Sequence, residues 1–161
     1  FLNAGLDFGG QPLGTHKDPR TAFTVGTGCE PEALDLTREL ARLERKIDAG
    51  ADYVMTQPAF NMDALENLAD YREKVPIVVG VMVLRGLEHA RRIAQVPGVI
   101  VPETIFARLG QYANETDQAK AGTELAAEQV RWIRDNGWAG LYLMSPSAHQ
   151  PVLEVLRRGL G

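Results

Sequence analysis

The sequence predicts an α/β fold in which β-strands and α-helices alternate along a chain of 161 residues. Short apolar segments alternate with longer segments whose apolar residues recur every three or four positions, as on one helix face. Glycine or proline stands at most boundaries between these segments. The run 77–83 is almost wholly apolar, which is typical of a parallel strand buried on both faces. These patterns predict a parallel sheet with helical crossovers.

The amino-terminal segment differs in composition from the rest of the chain. Residues 1–20 are rich in glycine, proline and aspartate and lack apolar periodicity, so they are predicted to form a linker or loop before a domain spanning 21–161. The first strand is predicted at 22–25, because this run is short and β-prone and the glycines Gly26 and Gly28 would end it.

The first helix carries the clearest local signals. Asp35 is predicted to cap a helix that runs to Ala49, and Gly50 would stop it. Its apolar residues Leu36, Leu40, Leu43 and Ile47 share one face. The later predicted elements are a strand at 52–57, a helix capped by Asn61 or Asp63, a strand at 77–83, helices at 86–95, near 104–109 and at 117–136, a strand at 140–144 and a helix at 151–158.

Four strands leave the architecture open at this point. A closed (β/α)8 barrel needs eight strands, whereas an open doubly wound sheet needs fewer. A dinucleotide-binding version of the open sheet would carry G-x-G-x-x-G after its first strand. Gly26-Thr27-Gly28 supplies only the first half of that motif, which argues against a Rossmann fold.

Composition excludes several classes of function. The net charge of -4 without a basic stripe argues against a nucleic-acid partner. No apolar run reaches the roughly 18 residues of a membrane helix. Cys29 is the single cysteine, which fits a reducing compartment, and we expect a cytoplasmic protein. His16, His89 and His149 lack metal-binding spacing, so no metal site is predicted.

Functional side chains of parallel α/β folds gather where strands end. Here Gln57 follows a strand, and its amide offers donors and an acceptor to a heterocycle, with Phe60 able to stack on a planar ring. The alternative is a turn glutamine with Phe60 in the core. Cys29 also follows a strand; a nucleophile is conceivable, but an inert small residue is favoured.

The polar side of the first helix is a second candidate. It carries Glu39, Arg42, Arg45 and Lys46. Arg45 and Lys46 have the chemistry to bind a pyrophosphate, because guanidinium and ammonium groups suit phosphate oxygens. The alternative is a solvated face with internal ion pairs.

One stretch resembles a known family. Lys46, the triplet Ala49-Gly50-Ala51 and then Thr56-Gln57 after a strand are similar to the signature of methylenetetrahydrofolate reductases. The resemblance runs from about residue 22 to the end. It implies that the chain folds as the carboxy-terminal half of a (β/α)8 TIM barrel, with about four βα units. It also implies that the chain is truncated. The stretch 7–14 resembles bacterial forms fused behind a homocysteine methyltransferase.

The resemblance also implies an activity. Such enzymes bind FAD at the carboxyl ends of the strands, reduce it with NAD(P)H, and convert methylenetetrahydrofolate to methyltetrahydrofolate for one-carbon metabolism and methionine synthesis. The family's general-acid glutamate and an aspartate near the flavin would precede this chain, so no catalytic residue is assigned and the isolated chain is expected to have little activity. Folate, the missing amino-terminal half of the barrel and further copies of the chain are the expected partners.

Individual residues carry over by position. The implied cofactor-binding residues are Glu30, Ala33, Glu39, Arg42, Arg45 and Lys46, and the implied substrate-binding residues are Gln57, Phe60 and His89. Gly26 replaces an aromatic residue of other members, and Ser147 stands where an arginine that meets the folate tail is often found.

Two other functions remain open. One is a non-catalytic α/β half-barrel module that binds a partner or dimerises through open sheet edges. The other is a different barrel enzyme acting on a phosphorylated substrate, which would need a glycine-rich loop where Ser145-Pro-Ser147 stands.

Overall fold

The computed structural model describes residues 1–14, 20–145 and 149–161. Four strands form one parallel sheet in the order β1-β2-β3-β4, which confirms the predicted α/β class and the parallel sheet. The strands are β1 (Gly26–Cys29), β2 (Tyr53–Pro58), β3 (Ile77–Met82) and β4 (Gly140–Met144). Each strand therefore lies beside the one that precedes it in the chain.

The connections between strands are helical. They comprise α1 (Leu36–Asp48), a 3-10 helix (Met62–Tyr71), α2 (Leu87–Ile93), α3 (Glu103–Gly110) and α4 (Glu115–Asp135), and α5 (His149–Leu160) follows the last strand. The Asp35 side chain accepts a hydrogen bond from the Arg38 N–H, so the predicted cap of α1 is confirmed. Asn61 caps the 3-10 helix by accepting from the Asp63 N–H.

The helices pack on one face of the sheet. Val54, Val79 and Val81 point to that face and are fully buried in a core that includes Leu43 of α1 and Val130 of α4. This burial of aliphatic side chains is the main source of stability for the sheet. The residues between them along each strand point to the opposite face, which is less covered.

Two predictions about strands were wrong. The segment 22–25 is exposed and forms no strand, and β1 instead contains Gly26 and Gly28. β2 begins at Tyr53, which pairs with Gly26, so the paired part of the first strand begins there. The Tyr53 ring occupies the space where a side chain at position 26 would stand. In β3, Val78 and Met82 are only half-buried, so this strand is covered on one face rather than both.

The amino-terminal segment contacts the start of the domain. Residues Leu2–Ala4 form one 3-10 turn, and the Asn3 amide donates to the Phe23 carbonyl at 2.8 Å. The assignment of 1–20 as a linker stays a prediction. In the part of the chain that the structure describes, no helix has the length and apolar character required to cross a membrane.

Candidate functional site

A cavity of about 530 Å3 lies where β1 and β2 meet the side of α1, and we call it the first cavity. The lining residues are Gly26, Thr27, Gly28, Cys29, Glu30, Glu39, Arg42, Lys46, Tyr53, Met55, Thr56, Gln57 and Tyr142. Five of the nine residues assigned to cofactor or substrate binding from the sequence are therefore brought together here: Glu30, Glu39, Arg42, Lys46 and Gln57.

Gln57 reaches the first cavity because of strand alternation. Tyr53, Met55 and Gln57 point to the less covered face of β2, whereas Val54 and Thr56 point into the helical layer. The Gln57 side chain is exposed at the carboxyl end of the strand. Its amide is thus available to a ligand, as predicted from its place at a strand end.

The backbone next to Gln57 is held by neighbouring strands. The register between β2 and β3 shifts between Met55 and Pro58. There the Thr56 hydroxyl accepts the Gly80 N–H at 2.9 Å, and the Thr56 carbonyl accepts the Tyr142 hydroxyl at 2.5 Å. These bonds satisfy polar groups that the shifted register leaves unpaired, and they fix the strand end that carries Gln57.

Glycine allows the Tyr142 contact. A side chain at Gly80 would stand 2.9 Å from the Tyr142 hydroxyl, so Tyr142 can cross β3 only because position 80 has no side chain. Gly28 is different, since a Cβ there would meet only the Met55 carbonyl, at 3.9 Å. The backbone of β1 at Gly28 is therefore open to close approach by a ligand.

A charged cluster on α1 forms one wall of the first cavity. Glu39 is buried, and its carboxylate accepts from the Arg42 guanidinium at 3.2 Å and from the Glu30 N–H at 3.3 Å. The Lys46 ammonium donates to the Gly28 carbonyl at 2.6 Å and lies 4.0 Å from Glu39. Both cations remain partly exposed, so they can also contact an anionic ligand.

The setting of Cys29, which is buried, disfavours a nucleophile. Burial, together with the nearby Glu39 carboxylate, raises the pKa of the Cys29 thiol to about 12. The thiol is therefore protonated at neutral pH, which supports the inert alternative.

A second cavity, of about 410 Å3, adjoins the first. The two share Glu30, Glu39 and Arg42. The other residues of the second cavity are Glu32, Ala33, Leu34, Asp35, Arg38, Gly98, Val99 and Ile100. Ala33, a sixth residue of the predicted site, thus lies on the continuation of the same groove along α1.

His89 lies elsewhere, at a third cavity beyond the carboxyl end of β3. The ring is buried, and its Nδ1 accepts the Arg85 backbone N–H at 3.2 Å. Burial, and then the charges of Arg85 and Arg92, lower the pKa of His89. A neutral ring with Nδ1 as acceptor carries its proton on Nε2 and can donate to a ligand. This cavity, of about 530 Å3, also includes Gln118 and Ser145.

Two predicted residues do not join these cavities. Phe60 is buried with Leu84 and Leu125 in a second part of the core, as the core alternative expects for this residue, and its assignment to substrate binding stays a prediction. Arg45 is exposed and lines neither the first nor the second cavity. Consecutive residues of an α-helix point in different directions, so the residue next to Lys46 does not face the same cavity. His16 and Ser147 lie outside the described residues.

Sequence reasoning missed several residues that line these cavities. Tyr53 and Tyr142 line the first cavity, and Glu32 lines the second. The sequence could have indicated Tyr53, because it stands two residues before Met55 and four before Gln57 on one strand. Residues at this spacing point to the same face of a sheet as Gln57. Among the described residues, no group of three potential ligands could hold a metal ion.

Fold and groove together define a class: a parallel α/β protein with a groove between the less covered face of its first two strands and the first helix. The family model for methylenetetrahydrofolate reductase matches residues 23–159, and the chain belongs to this family.

Similar proteins agree with this assignment. A probable methylenetetrahydrofolate reductase (NADPH) of Caenorhabditis elegans is 32% identical over 133 residues, covering 79% of this chain and 20% of that protein. A probable methylenetetrahydrofolate reductase (NADH) of Oryza sativa subsp. japonica is 29% identical over 157 residues, 94% of this chain and 25% of that protein. The chain thus spans about a fifth to a quarter of these relatives.

A solved structure shares the fold. It is an uncharacterised protein from Clostridium thermocellum that binds two copies of 5-methyl-5,6,7,8-tetrahydrofolic acid. The TM-score is 0.57 at 17% identity, over 83% of this chain and 51% of that one. At this identity the match supports the fold alone.

Proposed function

We propose that this chain is part of a flavin-dependent methylenetetrahydrofolate reductase that takes electrons from NAD(P)H. Family membership supports the reaction, and the relatives named for NADH or NADPH support the electron donor. Bound FAD would supply hydride transfer between the nicotinamide and the folate. One observation carries the proposal: Gln57 and Lys46 face the same cavity.

The residues of the groove fit such a cofactor. Lys46 and Arg42 offer an ammonium and a guanidinium to phosphate oxygens. Gly28 leaves the backbone of β1 open to a flat ligand. Glu39 holds both cations in place, so the site is ordered before a ligand binds.

We further propose that folate binds across Gln57 and the third cavity. The exposed Gln57 amide has the donors and acceptor that a pterin edge requires. His89 would donate from Nε2, with Arg85 and Arg92 near it supplying positive charge for the carboxylates of folate. Membership of the methylenetetrahydrofolate reductase family supports this choice of ligand.

The architecture proposed for the complete enzyme is a (β/α)8 barrel, of which these four strands are one half. The sheet has helices on one face and partly exposed side chains on the other, as a barrel wall has. The chain spans only part of its relatives, and we propose that turnover requires the remaining part. Negligible NAD(P)H oxidation by these 161 residues alone is expected.

The alternative is a binding or dimerising module without catalysis. It is favoured by the outer strands β1 and β4, each of which pairs on one side only within the described residues. Such a module would dimerise in a concentration-dependent manner without flavin affinity. Analytical ultracentrifugation with and without FAD separates this function from the reductase.

The direct test is ligand binding by the full chain. FAD is titrated while flavin fluorescence is followed, and 5-methyltetrahydrofolate is titrated by calorimetry. Gln57→Ala is expected to weaken folate binding about tenfold, the effect of losing paired hydrogen bonds, with FAD binding unchanged. Gln95→Ala, which removes another exposed glutamine, is the control. A chain that binds neither ligand would contradict the proposal.

A further inference from the structure

Helix α4 contacts the segments that follow β2 and β3. One stripe of this helix repeats at intervals of three and four residues and consists of Gln118, Gly122, Leu125 and Gln129. A side chain at Gly122 would overlap the Leu84 carbonyl, so glycine lets α4 lie directly against the segment that leaves β3. The glutamines at the two ends of the stripe are therefore close to the loops at the carboxyl ends of the strands.

Gln129 holds the loop that follows Gln57. Its side chain is buried, and the amide Nε2 donates to the Ala59 carbonyl at 3.2 Å. The Ala59 N–H donates to the Gly80 carbonyl at 3.4 Å, and Pro58 has no N–H to add a further bond. Because Ala59 is buried, its carbonyl would lose a needed partner without Gln129. The two bonds thus fix the backbone two residues after Gln57, one from the sheet and one from α4.

The amide of Gln129 stands in an apolar stretch of the helix. Ala126, Val130 and Ile133 around it are fully or almost fully buried in the core. A polar side chain in such a place lowers stability unless it is hydrogen-bonded, whereas an apolar one would pack there without that cost. Core packing alone therefore does not account for glutamine at this position, and the bond to Ala59 does.

Gln118 has the matching role at the other end of the stripe. Its Oε1 accepts the Leu87 N–H at 3.0 Å, and its Nε2 donates to the Tyr112 carbonyl at 2.9 Å. Leu87 is the first residue of α2, and Gly86 before it has no side chain to cap that helix. Gln118 therefore caps α2 from another helix, two residues before His89.

The separation of the two glutamines is fixed by the helix that carries both. Gln118 and Gln129 are eleven positions apart, which is about three helical turns and about 16 Å along the axis. We propose that Gln129 and Gln118 are positioning residues, which hold the segments that carry Gln57 and His89 at a fixed distance so that one folate molecule can contact both. This inference rests on the proposed function in that it takes folate as the ligand of both residues.

The test is a pair of double-mutant cycles on the full chain, with 5-methyltetrahydrofolate titrated by calorimetry. Gln129→Met keeps the length of the side chain and removes its amide, and it should weaken binding about fivefold, the effect of one lost hydrogen bond. In the Gln57→Ala background the same change should have less than about a twofold effect, because the positioned contact is gone. Gln118→Met should be coupled in the same way to His89→Ala but not to Gln57→Ala. FAD binding should not change.

Thr123→Val is the matched control on α4. It removes another buried hydrogen bond of this helix, from the Thr123 hydroxyl to the Ala119 carbonyl, which involves neither ligand-binding segment. We expect it to leave folate binding unchanged. Equal losses from Thr123→Val and Gln129→Met, or the same loss with and without Gln57, would overturn the proposal, because a general loosening of the helix would then explain them.

Amide hydrogen exchange without a ligand separates this proposal from the proposed function. Gln129→Met should speed exchange at the Ala59 N–H, and Gln118→Met at the Leu87 N–H, whereas Thr123→Val should change neither. Unchanged exchange in both glutamine variants would contradict the positioning role even if folate binds. If these amides respond and the chain binds no folate, the segments are held as proposed and the choice of folate as their ligand is wrong.

Discussion

The two faces of the sheet use the same four strands for different purposes. Toward the helices, Val54, Val79 and Val81 are fully buried in an aliphatic core. Toward the other face, the alternating positions carry Tyr53 and Gln57, which are partly or fully exposed and line the first cavity. One face therefore contributes stability, and the other lines the first cavity.

This difference shows how one strand can contribute both to the core and to the lining of the cavity. Because successive side chains point to opposite faces, a change at one position alters packing while its neighbour alters binding. Adjacent residues on one strand are therefore matched probes of the two faces. The first prediction below uses such a pair, and the second compares two sides of one helix.

The largest effect is expected from a charge placed in the helical layer. Val79→Asp should destabilise the fold by more than about 4 kcal/mol, because it buries a carboxylate without a partner. Val78→Asp, one residue earlier on the half-buried side, should cost much less. Urea denaturation measures both. Similar losses at the two positions would show that the faces are not distinct in solution.

The next prediction compares the two sides of α1. Lys46→Ala should weaken FAD binding by about ten- to a hundredfold, since a charge-assisted contact to phosphate is lost. Arg45→Ala should change it less than threefold, because Arg45 lines neither the first nor the second cavity. Flavin fluorescence titration measures both constants. A larger loss for Arg45 would favour the family resemblance over the geometry of this groove.

The sequence was sufficient where the signals were local. The cap Asp35, the apolar face and the stop at Gly50 predicted α1 to within one residue at each end. The same signals put Glu39, Arg42 and Lys46 on one helix face, where their carboxylate and cations meet. Gln57 was found because it follows a strand.

The failures came from contacts between distant residues. Gly26 was read as a strand terminator, but its lack of a side chain serves Tyr53 on the next strand. Tyr142 bonds Thr56, 86 positions earlier, and nothing near either residue indicates it. The apolar character of Phe60 is compatible with either a cavity wall or the core. Packing with Leu84, which is distant in sequence, places Phe60 in the core.

The third prediction tests the glycine contact on the open face. Gly26→Ala should destabilise the fold by about 1 kcal/mol, because the new methyl group displaces the end of the Tyr53 ring. Combined with Tyr53→Ala, the same change should cost far less. A double-mutant cycle by chemical denaturation measures the coupling. Additive losses would mean that the ring does not lie across Gly26.

The smallest effect concerns two carboxyl groups in contrasting settings. Burial raises the pKa of Glu32 beside the groove, with the Phe60 and Asn61 backbone N–H groups opposing the rise. Hydrogen bonds from Arg131 and Arg158 lower the pKa of Glu124 on the helical side. Opposite shifts give opposite signs to the change of stability with pH.

For Glu32, the folded state binds its proton more tightly, so its contribution to stability is present at acidic pH and is lost as pH rises through the raised pKa. For Glu124, the contribution is present above the ordinary glutamate pKa and is lost as pH falls through the lowered one. Glu32→Gln should therefore reduce the loss of stability that accompanies a rise of pH through the Glu32 pKa. Glu124→Gln should reduce the loss of stability at acidic pH. Each substitution should change the free energy of unfolding by less than about 1 kcal/mol. Unfolding free energies measured from pH 3 to 8 test both signs. Parallel changes in the two variants would contradict the assignment, because they would place both carboxyl groups in the same electrostatic setting.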